Sequence, residues 1–225
     1  MHIGLIGGIG PAATEFYYRG LIERHARSAT QLDLTIAHAD VRELAQNLAN
    51  NDARKQADVF VRLVRRLAAA GADVAAVTSM GGHFCIKELE AISPLPILNG
   101  LPEVDAAIRH KSLKTIGILG TRTVMETRLY GAISSAQVVL PEGEALEQVH
   151  KNYVEMAIAG RVTDAQRRVF FSAGQHLCRA QGAEAIILGG TDLFLAFEGQ
   201  DCGFPVIDCA DVHVEALYQR SAGKA

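Results

Sequence analysis

Residues 3–7, Ile-Gly-Leu-Ile-Gly, return at residues 116–120 as Ile-Gly-Ile-Leu-Gly. Further along, residues 71–79 (Gly-Ala-Asp-Val-Ala-Ala-Val-Thr-Ser) correspond to residues 182–190 (Gly-Ala-Glu-Ala-Ile-Ile-Leu-Gly-Gly). Shorter stretches repeat in the same order: residues 14–17 with 127–130, and residues 96–99 with 205–208. A duplication of this kind predicts two similar α/β lobes, and it makes Ser79 and Gly190 equivalent positions at the ends of equivalent strands.

Short apolar runs alternate with longer amphipathic segments along the whole chain. The runs predict strands at residues 2–7, 33–38, 73–78, 96–98, 115–119, 136–140, 185–189 and 205–207. The segments between them predict helices near residues 12–27, 42–70, 84–91, 102–110, 124–134, 144–158, 163–181 and 211–221. Continuous Val/Ile/Leu/Ala runs are typical of strands buried on both faces of a parallel sheet. The predicted class is therefore α/β, with two pseudo-symmetric doubly wound parallel-sheet lobes and an active-site cleft between them.

The duplication also predicts where the lobes divide. It ends before the last predicted helix, so we expect that helix to return to the first lobe. The first lobe is then predicted to contain residues 1–99 plus 209–225, and the second to contain residues 100–208.

Composition narrows the class of protein. The 225 residues are 49% hydrophobic and carry a formal net charge of -3, which argues against nucleic-acid and anionic-membrane partners. No apolar run approaches the roughly 20 residues of a membrane span, and the N-terminal residues show a strand pattern rather than a signal sequence. The cysteines have no C-x-x-C spacing and predict reduced thiols in the cytoplasm; they are Cys85, Cys178, Cys202 and Cys209. No His, Cys and carboxylate cluster has metal-ligand spacing, so no metal is expected.

Ligands of doubly wound sheets bind beyond the carboxyl ends of the strands. Four loops meet that condition: residues 8–11, 79–83, 120–123 and 190–192. All are rich in Gly or hydroxyl residues and lead into helices, whose N-termini suit carboxylates or phosphates.

The first of these loops has two interpretations. Residues 8–13, Gly-Ile-Gly-Pro-Ala-Ala, fit the G-x-G-x-x-A pattern of a dinucleotide site. The acidic residue that should close the second strand is misplaced, because Asp33 starts that strand and Asp40 comes late. The alternative is a tight turn into a helix that begins at a proline.

The other loops also carry alternatives. Thr121 and Thr123 indicate an anion site, or a capping box of Thr123 with Glu126. His83 and His213 are either site residues or structural histidines. Asp192 is either a catalytic acid or a helix cap.

Two cysteines lie near the predicted loops. Cys85 could have a thiol activated by a helix N-terminus, or be a small buried side chain, and Cys209 has the same two interpretations. Cys178 is expected in the core.

At these loops the chain resembles the aspartate/glutamate racemase family. Residues 3–14 and Tyr17-Tyr18 resemble its N-terminal signature, and residues 117–123 its middle motif, which contacts the substrate carboxylate. Gly160-Arg161 resembles a Gly-Lys segment near the site, and residues 205–208 with His213 resemble the C-terminal signature.

The resemblance implies a cofactor-independent enzyme that needs no pyridoxal phosphate, works as a homodimer and acts on an acidic amino acid or small carboxylate. In the family, two thiols, one per lobe, flank the α-carbon and exchange its proton between the two faces.

Both thiol positions differ here. The family's first motif, Cys or Thr followed by Asn-Thr-Xaa-His, is Ser79-Met80-Gly81-Gly82-His83 in this chain. Its second motif, Gly-Cys-Thr-Glu, is Gly189-Gly190-Thr191-Asp192. Ser79 needs a base to activate its hydroxyl, and Gly190 has no side chain. The glycines at 81, 82 and 190 predict extra space for a ligand larger than aspartate.

The predicted catalytic residues are Ser79, His83 and Asp192. The predicted substrate-binding residues are Gly10, Pro11, Gly81, Thr121, Thr123, Arg161, Gly190 and Thr191. Arg42 and Arg161 are candidate carboxylate binders, with a surface salt bridge as the alternative for each.

The sequence leaves three candidate functions. The first is a racemase-like isomerase with altered acid–base chemistry at the α-carbon, which includes a one-base lyase or decarboxylase. The second is a carboxylate-binding or regulatory protein without catalysis. A dinucleotide-dependent oxidoreductase is the least favoured.

Overall fold

The computed structural model describes residues 1–223. The chain divides into two compact units. The first unit contains Met1–Gly100 and the C-terminal segment that starts at His213, and the second contains Leu101–Val212. The chain therefore leaves the first unit after Gly100 and returns to it at His213.

The first unit is built on a three-stranded parallel sheet in the order β2-β1-β3. Its strands are β1 (His2–Gly7), β2 (Asp33–His38) and β3 (Val74–Val77). Because β1 is central, almost all its side chains are buried, whereas the edge strand β2 alternates between half-buried and exposed residues. The predicted strand at residues 96–98 forms only a bridge to β3, through Ala75 N–H to Pro96 O and Leu98 N–H to Ala75 O.

Helices follow each strand of the first unit. They are α1 (Pro11–Ser28), α2 (Val41–Ala49), α3 (Ala53–Ala69) and α4 (Ile86–Ile92), with a 3₁₀ turn at Gly81–Cys85. The prediction of one helix over residues 42–70 is wrong, because the chain breaks between α2 and α3. Asn51 takes a left-handed φ of 52°, and the Asp52 carboxylate caps α3 by accepting from Lys55 N–H.

The second unit has a four-stranded parallel sheet in the order β5-β4-β6-β7. The strands are β4 (Thr115–Leu119), β5 (Gln137–Val139), β6 (Ala185–Leu188) and β7 (Val206–Asp208). Its helices are α5 (Gly100–His110), α6 (Arg122–Glu126), α7 (Gly143–Ala159), α8 (Asp164–Gln181) and α9 (Phe194–Phe197), with a 3₁₀ turn at Thr191–Leu193. The last helix, α10 (Cys209–Ser221), begins in this unit and ends in the first.

Helix α6 is much shorter than the predicted helix at residues 124–134. Three consecutive residues, Arg128, Leu129 and Tyr130, have φ between 53° and 58°, followed by Gly131 at 71°. Left-handed backbone at four successive positions cannot continue an α-helix.

The duplication is visible in the packing of the two central strands. A Cβ added at Gly4 of β1 would lie 3.0 Å from Leu67 of α3, and one at Gly117 of β4 would lie 2.9 Å from Leu177 of α8. Both halves have a glycine at this equivalent position because a long helix packs directly on the strand there. Both sheets are parallel and carry helices, which confirms the predicted α/β class with two parallel sheets.

No helix within residues 1–223 is long and apolar enough to cross a membrane.

Candidate functional site

The loop after β1 is ordered by Thr14. Its hydroxyl accepts from Gly8 N–H at 2.9 Å and donates to Gly10 O at 3.1 Å. Gly10, predicted to bind substrate, is buried with φ 104°, and Pro11 opens α1 at the exposed end of the loop. The same hydroxyl lies 3.3 Å from that of Thr78, which places this loop beside the end of β3.

The structure explains the first glycine of the G-x-G-x-x-A pattern by packing. A Cβ at Gly8 would lie 2.3 Å from the His38 ring and 2.6 Å from Ala39 O. Asp40, the acid nearest the end of β2, caps α2 and pairs with Arg42 at 2.6 Å. That pair lowers the pKa of Asp40 to about 2. These contacts support the tight-turn interpretation, and they give Arg42 the salt bridge that was its alternative.

Ser79 stands at the carboxyl end of β3, as the duplication predicts. It is 6% exposed, and its Oγ accepts from Gly82 N–H at 3.3 Å. A Cβ at Gly81 would meet only that oxygen, at 3.5 Å, so the space beside Gly81 is open. A Cβ at Gly82 would lie 3.0 Å from Val77, so the predicted extra space is absent at that glycine.

His83 is buried and makes hydrogen bonds through both ring nitrogens. Nδ1 lies 2.7 Å from the Ser79 carbonyl oxygen, which must accept, and Nε2 accepts from Gly100 N–H at 3.4 Å. Burial lowers the pKa of His83 to about 4, so the ring is neutral at pH 7. His83 therefore holds the backbone of the Ser79 loop, and its nitrogens do not contact the Ser79 hydroxyl.

His213 is the second buried histidine of this unit. Its Nε2–H donates to Leu98 O at 3.0 Å, and its Nδ1 accepts from the Tyr17 hydroxyl at 2.9 Å. Burial, with a smaller contribution from His83, lowers the pKa of His213 to about 3. Both histidines of the two family motifs therefore contribute to the hydrogen-bonded frame of the first unit.

The cysteines near the predicted loops are not activated thiols. Cys85 is fully buried and donates to Gly82 O, and burial raises the pKa of its thiol to about 12. Burial raises the pKa of Cys209 well above its ordinary value, with Asp208 adding to the effect. The activated-thiol interpretation is wrong for both residues. Cys178, expected in the core, is only half-buried.

In the second unit, Thr121 rather than Thr123 caps α6. The Thr121 hydroxyl accepts from Val124 N–H at 3.3 Å, whereas Thr123 lies inside the helix. The predicted capping box of Thr123 with Glu126 is therefore wrong. Arg122, between the two threonines, pairs with Glu147 of α7.

Gly190 follows β6, and a neighbouring side chain occupies the space that a side chain at position 190 would take. A Cβ at Gly190 would lie 2.2 Å from Cε2, 2.5 Å from Cζ and 2.8 Å from the hydroxyl oxygen of Tyr153. The prediction of extra space at this glycine is wrong, because the phenol ring of Tyr153 fills it. A Cβ at Gly120 would lie 3.2 Å from Gly190 N, so the residue before Thr121 packs against the same loop.

Tyr153 joins two predicted site residues. Its hydroxyl donates to Asp192 Oδ2 at 3.2 Å, with Tyr153 7% and Asp192 3% exposed. Thr191 is fully buried, and its Oγ1 makes no hydrogen bond of normal geometry among residues 1–223. It lies close enough to the Tyr153 hydroxyl to act against the rise in the pKa of that phenol. The second unit thus gathers a phenol, a carboxylate and an unpaired hydroxyl at the end of β6.

Tyr153 is not among the predicted site residues, because the apolar pattern of the sequence predicts burial of a different face of α7. The buried residues of that helix are Leu146, Val149, Tyr153 and Met156. The i, i+3, i+4 spacing of Val154, Ala157 and Ile158 in the sequence predicts that these residues face the core, but Ile158 is 77% exposed. Leu146, Val149 and Met156 have the spacing that would have placed Tyr153 on the buried face.

The second unit contains one further acidic and one further basic residue of interest, Asp208 and Arg161. Burial raises the pKa of Asp208, at the end of β7, to about 7. Arg161 follows Gly160, which ends α7 with φ 63°, and its side chain is exposed. No group of three or more His, Cys, Asp or Glu residues in the described chain is arranged to hold a metal ion.

Comparison with known proteins agrees with this architecture. Residues 6–217 match the family model of the Asp/Glu/hydantoin racemases. A candidate Asp/Glu racemase from Yersinia pestis is 28% identical, with a TM-score of 0.85, over 99% of this chain and 100% of that one. An aspartate racemase homologue from Pyrococcus horikoshii OT3 is 23% identical, with a TM-score of 0.80, over 98% and 99%. The aspartate racemase of Picrophilus torridus is 18% identical, with a TM-score of 0.76, over 100% and 96%.

The family model covers nearly the whole chain, and the solved structures share its fold across both units. The chain belongs to the Asp/Glu/hydantoin racemase family.

Proposed function

We propose that this protein is an isomerase-like enzyme that transfers a proton at the α-carbon of an acidic amino acid or a related small carboxylate. The chemistry is acid–base chemistry without pyridoxal phosphate and without a pair of thiols. Family membership supports the substrate class, and the substitutions Ser79 and Gly190 require that the proton-transfer groups differ from the family's thiols.

The observation that carries the proposal is the unpaired hydroxyl of Thr191. A fully buried hydroxyl without a partner costs free energy, on the order of 1–3 kcal/mol, unless a ligand or water satisfies it. A substrate carboxylate is an acceptor for that hydroxyl. Thr191 lies next to Asp192 in the motif that corresponds to the family's Gly-Cys-Thr-Glu, so the hydroxyl and an acid are adjacent where the family reacts.

In the proposed reaction, Ser79 acts as a hydrogen-bond donor rather than as a base. Its Oγ accepts from Gly82 N–H, which leaves its own proton to donate to a ligand on the open side of Gly81. Neither nitrogen of His83 bonds to that oxygen, so His83 is not positioned to remove the Ser79 proton. We therefore expect exchange at the α-carbon to be faster than inversion.

Proton NMR in D₂O tests the proposal directly. Wild-type protein is incubated with L- and D-aspartate and L- and D-glutamate, and the α-proton signal of each is followed. Loss of that signal for at least one acid, dependent on active protein, supports the proposal. No loss for any of the four, at high protein concentration, contradicts it.

A carboxylate-binding protein without turnover is the second candidate, and the unactivated Ser79 favours it. Calorimetric titration of the same four acids separates the two candidates. Binding without exchange of the α-proton identifies the binding protein.

We also propose a homodimer, on the family resemblance alone. Sedimentation equilibrium giving twice the chain mass supports it, and a single chain mass at micromolar concentration contradicts it.

A further inference from the structure

Tyr153 occupies the volume that a side chain at position 190 would take. The phenol oxygen lies 2.8 Å from the point where a Cβ of residue 190 would stand, and two ring carbons lie closer. A cysteine at that position, as in the family motif, would extend its sulfur from the same point. The end of β6 therefore still presents a protic group, but it comes from α7 instead of from the strand.

The phenol has a specific hydrogen-bond partner. Tyr153 Oη donates to Asp192 Oδ2 at 3.2 Å, and both side chains are buried. Thr191, the residue before Asp192, adds an Oγ1 that makes no hydrogen bond of normal geometry and can bind a ligand. Substrate bound to Thr191 would be held next to the Tyr153–Asp192 pair.

We infer that Tyr153 and Asp192 form a proton relay that takes the place of the second thiol of the family. This inference rests on the proposed function, because the relay acts only if the substrate reacts at its α-carbon. Tyr153 is the catalytic residue that contacts the α-proton, and Asp192 is the final acceptor.

The relay balances as a double proton transfer. The α-proton moves to Tyr153 Oη while the Oη proton moves to Asp192 Oδ2. The electron pair of the broken C–H bond stays on the substrate and delocalises into its carboxyl group. The products are a neutral phenol, a neutral Asp192 carboxyl and a carbanionic substrate, and the reverse transfers restore the starting state.

A relay suits this site better than a free phenolate does. Burial, together with the charge of Asp192, raises the pKa of Tyr153 well above its ordinary value, so a phenolate beside that carboxylate is unfavourable. The concerted transfer never forms a phenolate. Since the relay belongs to one unit, it returns a proton to the face from which it took one, and solvent deuterium enters with retention of configuration.

The test compares α-proton exchange by wild-type protein and Tyr153→Phe. The variant keeps the ring that fills the space at Gly190 and removes only the hydroxyl. Loss of an acid–base group lowers a rate about 10²- to 10⁴-fold, so we expect a loss of at least about 100-fold. The matched control is Tyr218→Phe, a tyrosine that is also 7% exposed but lies on α10 in the first unit, and we expect its rate to change less than about twofold.

Asp192 is tested by a pair of variants. Asp192→Asn removes the proton acceptor while keeping the shape, and we expect the same loss of exchange. Asp192→Glu restores a carboxylate, which the family motif itself has there, and we expect partial rescue. A purely structural role for Asp192 predicts the reverse order, because Asn is closer in size.

The outcomes separate the inference from the proposed function. Exchange by wild type, with Tyr153→Phe within threefold of it, overturns the relay and leaves the proposed function standing. The same holds if Asp192→Asn is active. No exchange by wild type with any acid overturns both. If Tyr153→Phe fails to fold, the Asp192→Asn and Asp192→Glu comparison decides.

Discussion

His83 and His213 meet edge to face, with ring centroids 5.7 Å apart, and hold the two ends of the same short segment. His213 donates to Leu98 O, and His83 accepts from Gly100 N–H. A Cβ at Gly100 would lie 2.7 Å from Met80 and 2.9 Å from the His213 ring, so a larger residue does not fit at that position without a shift of these neighbours. The segment they hold is the one from which the chain leaves the first unit.

This pair predicts a loss of stability in mild acid. Both pKa values are lowered in the folded protein, from 6.5 to about 4 for His83 and about 3 for His213. The unfolded chain therefore binds more protons below pH 6.5, and the contribution to stability that is present above that pH falls as the pH drops towards 4. Each histidine contributes a slope of at most about 1.4 kcal/mol per pH unit. Urea unfolding between pH 7.5 and 5 measures the slope.

The variants that test this are His213→Asn and His83→Asn. For each, the change of unfolding free energy with pH is compared with that of wild type, rather than the absolute stability. Each is expected to reduce the pH slope by up to the contribution of one histidine. An unchanged slope in both would mean that these histidines have the same pKa in the folded and unfolded protein.

Asp208 predicts a pH effect of the opposite sign. Burial raises its folded pKa from 3.8 to about 7, so the folded protein binds the extra proton, and its contribution is lost as the pH rises through 7. Asp208→Asn keeps the oxygen that accepts from Ala210 N–H and cannot ionise. We expect this variant to gain stability relative to wild type between pH 5 and pH 8. A difference that does not change with pH would show that the pKa of Asp208 is not raised in the folded protein.

Gly190 is predicted to reject any side chain while Tyr153 is present. Gly190→Cys would place its Cβ 2.2 Å from the ring, and overpacking of this kind costs about 1–3 kcal/mol or more. Tyr153→Ala combined with Gly190→Cys should cost less than the sum of the two single variants, because the cavity of one receives the side chain of the other. Thermal or urea unfolding of the four proteins gives the coupling.

The control for that cycle is Gly81→Ala in the equivalent family motif. Its added methyl group meets only Ser79 Oγ, at 3.5 Å, so we expect a change in stability within about 0.5 kcal/mol. Additive effects at positions 153 and 190 would show that the two residues are not in contact.

The thiols are predicted to be inert in the folded protein. The pKa of Cys85 is raised to about 12, and that of Cys209 is also raised by burial, so neither forms much thiolate at pH 8. Alkylation with iodoacetamide followed by peptide mass spectrometry should modify both sites far more slowly than in urea, with exchange activity unaffected. Rapid native alkylation of either residue, with loss of activity, would restore a thiol mechanism.

Local sequence signals predicted the strands well and the contacts between distant residues poorly. The runs at residues 2–7 and 115–119 are continuous apolar segments, and they become the strands β1 and β4 with bounds that match within one residue. The contact of Tyr153 with Gly190 joins residues far apart in the chain, and no periodic pattern reports which side chain will fill the space above a glycine. For the same reason, sequence could place His83 at a strand end but could not show that both its nitrogens bond to backbone.

Whether the buried Tyr153–Asp192 pair exchanges the α-proton on one face is decided by comparing the rate of α-proton exchange with the rate of inversion. Wild-type protein in D₂O is given one pure enantiomer of aspartate or glutamate, and NMR and chiral chromatography follow the same sample. We expect one enantiomer to acquire α-deuterium faster than it loses optical purity, because the buried Tyr153–Asp192 pair acts on one face. Inversion as fast as exchange, or no exchange of any enantiomer, would contradict it.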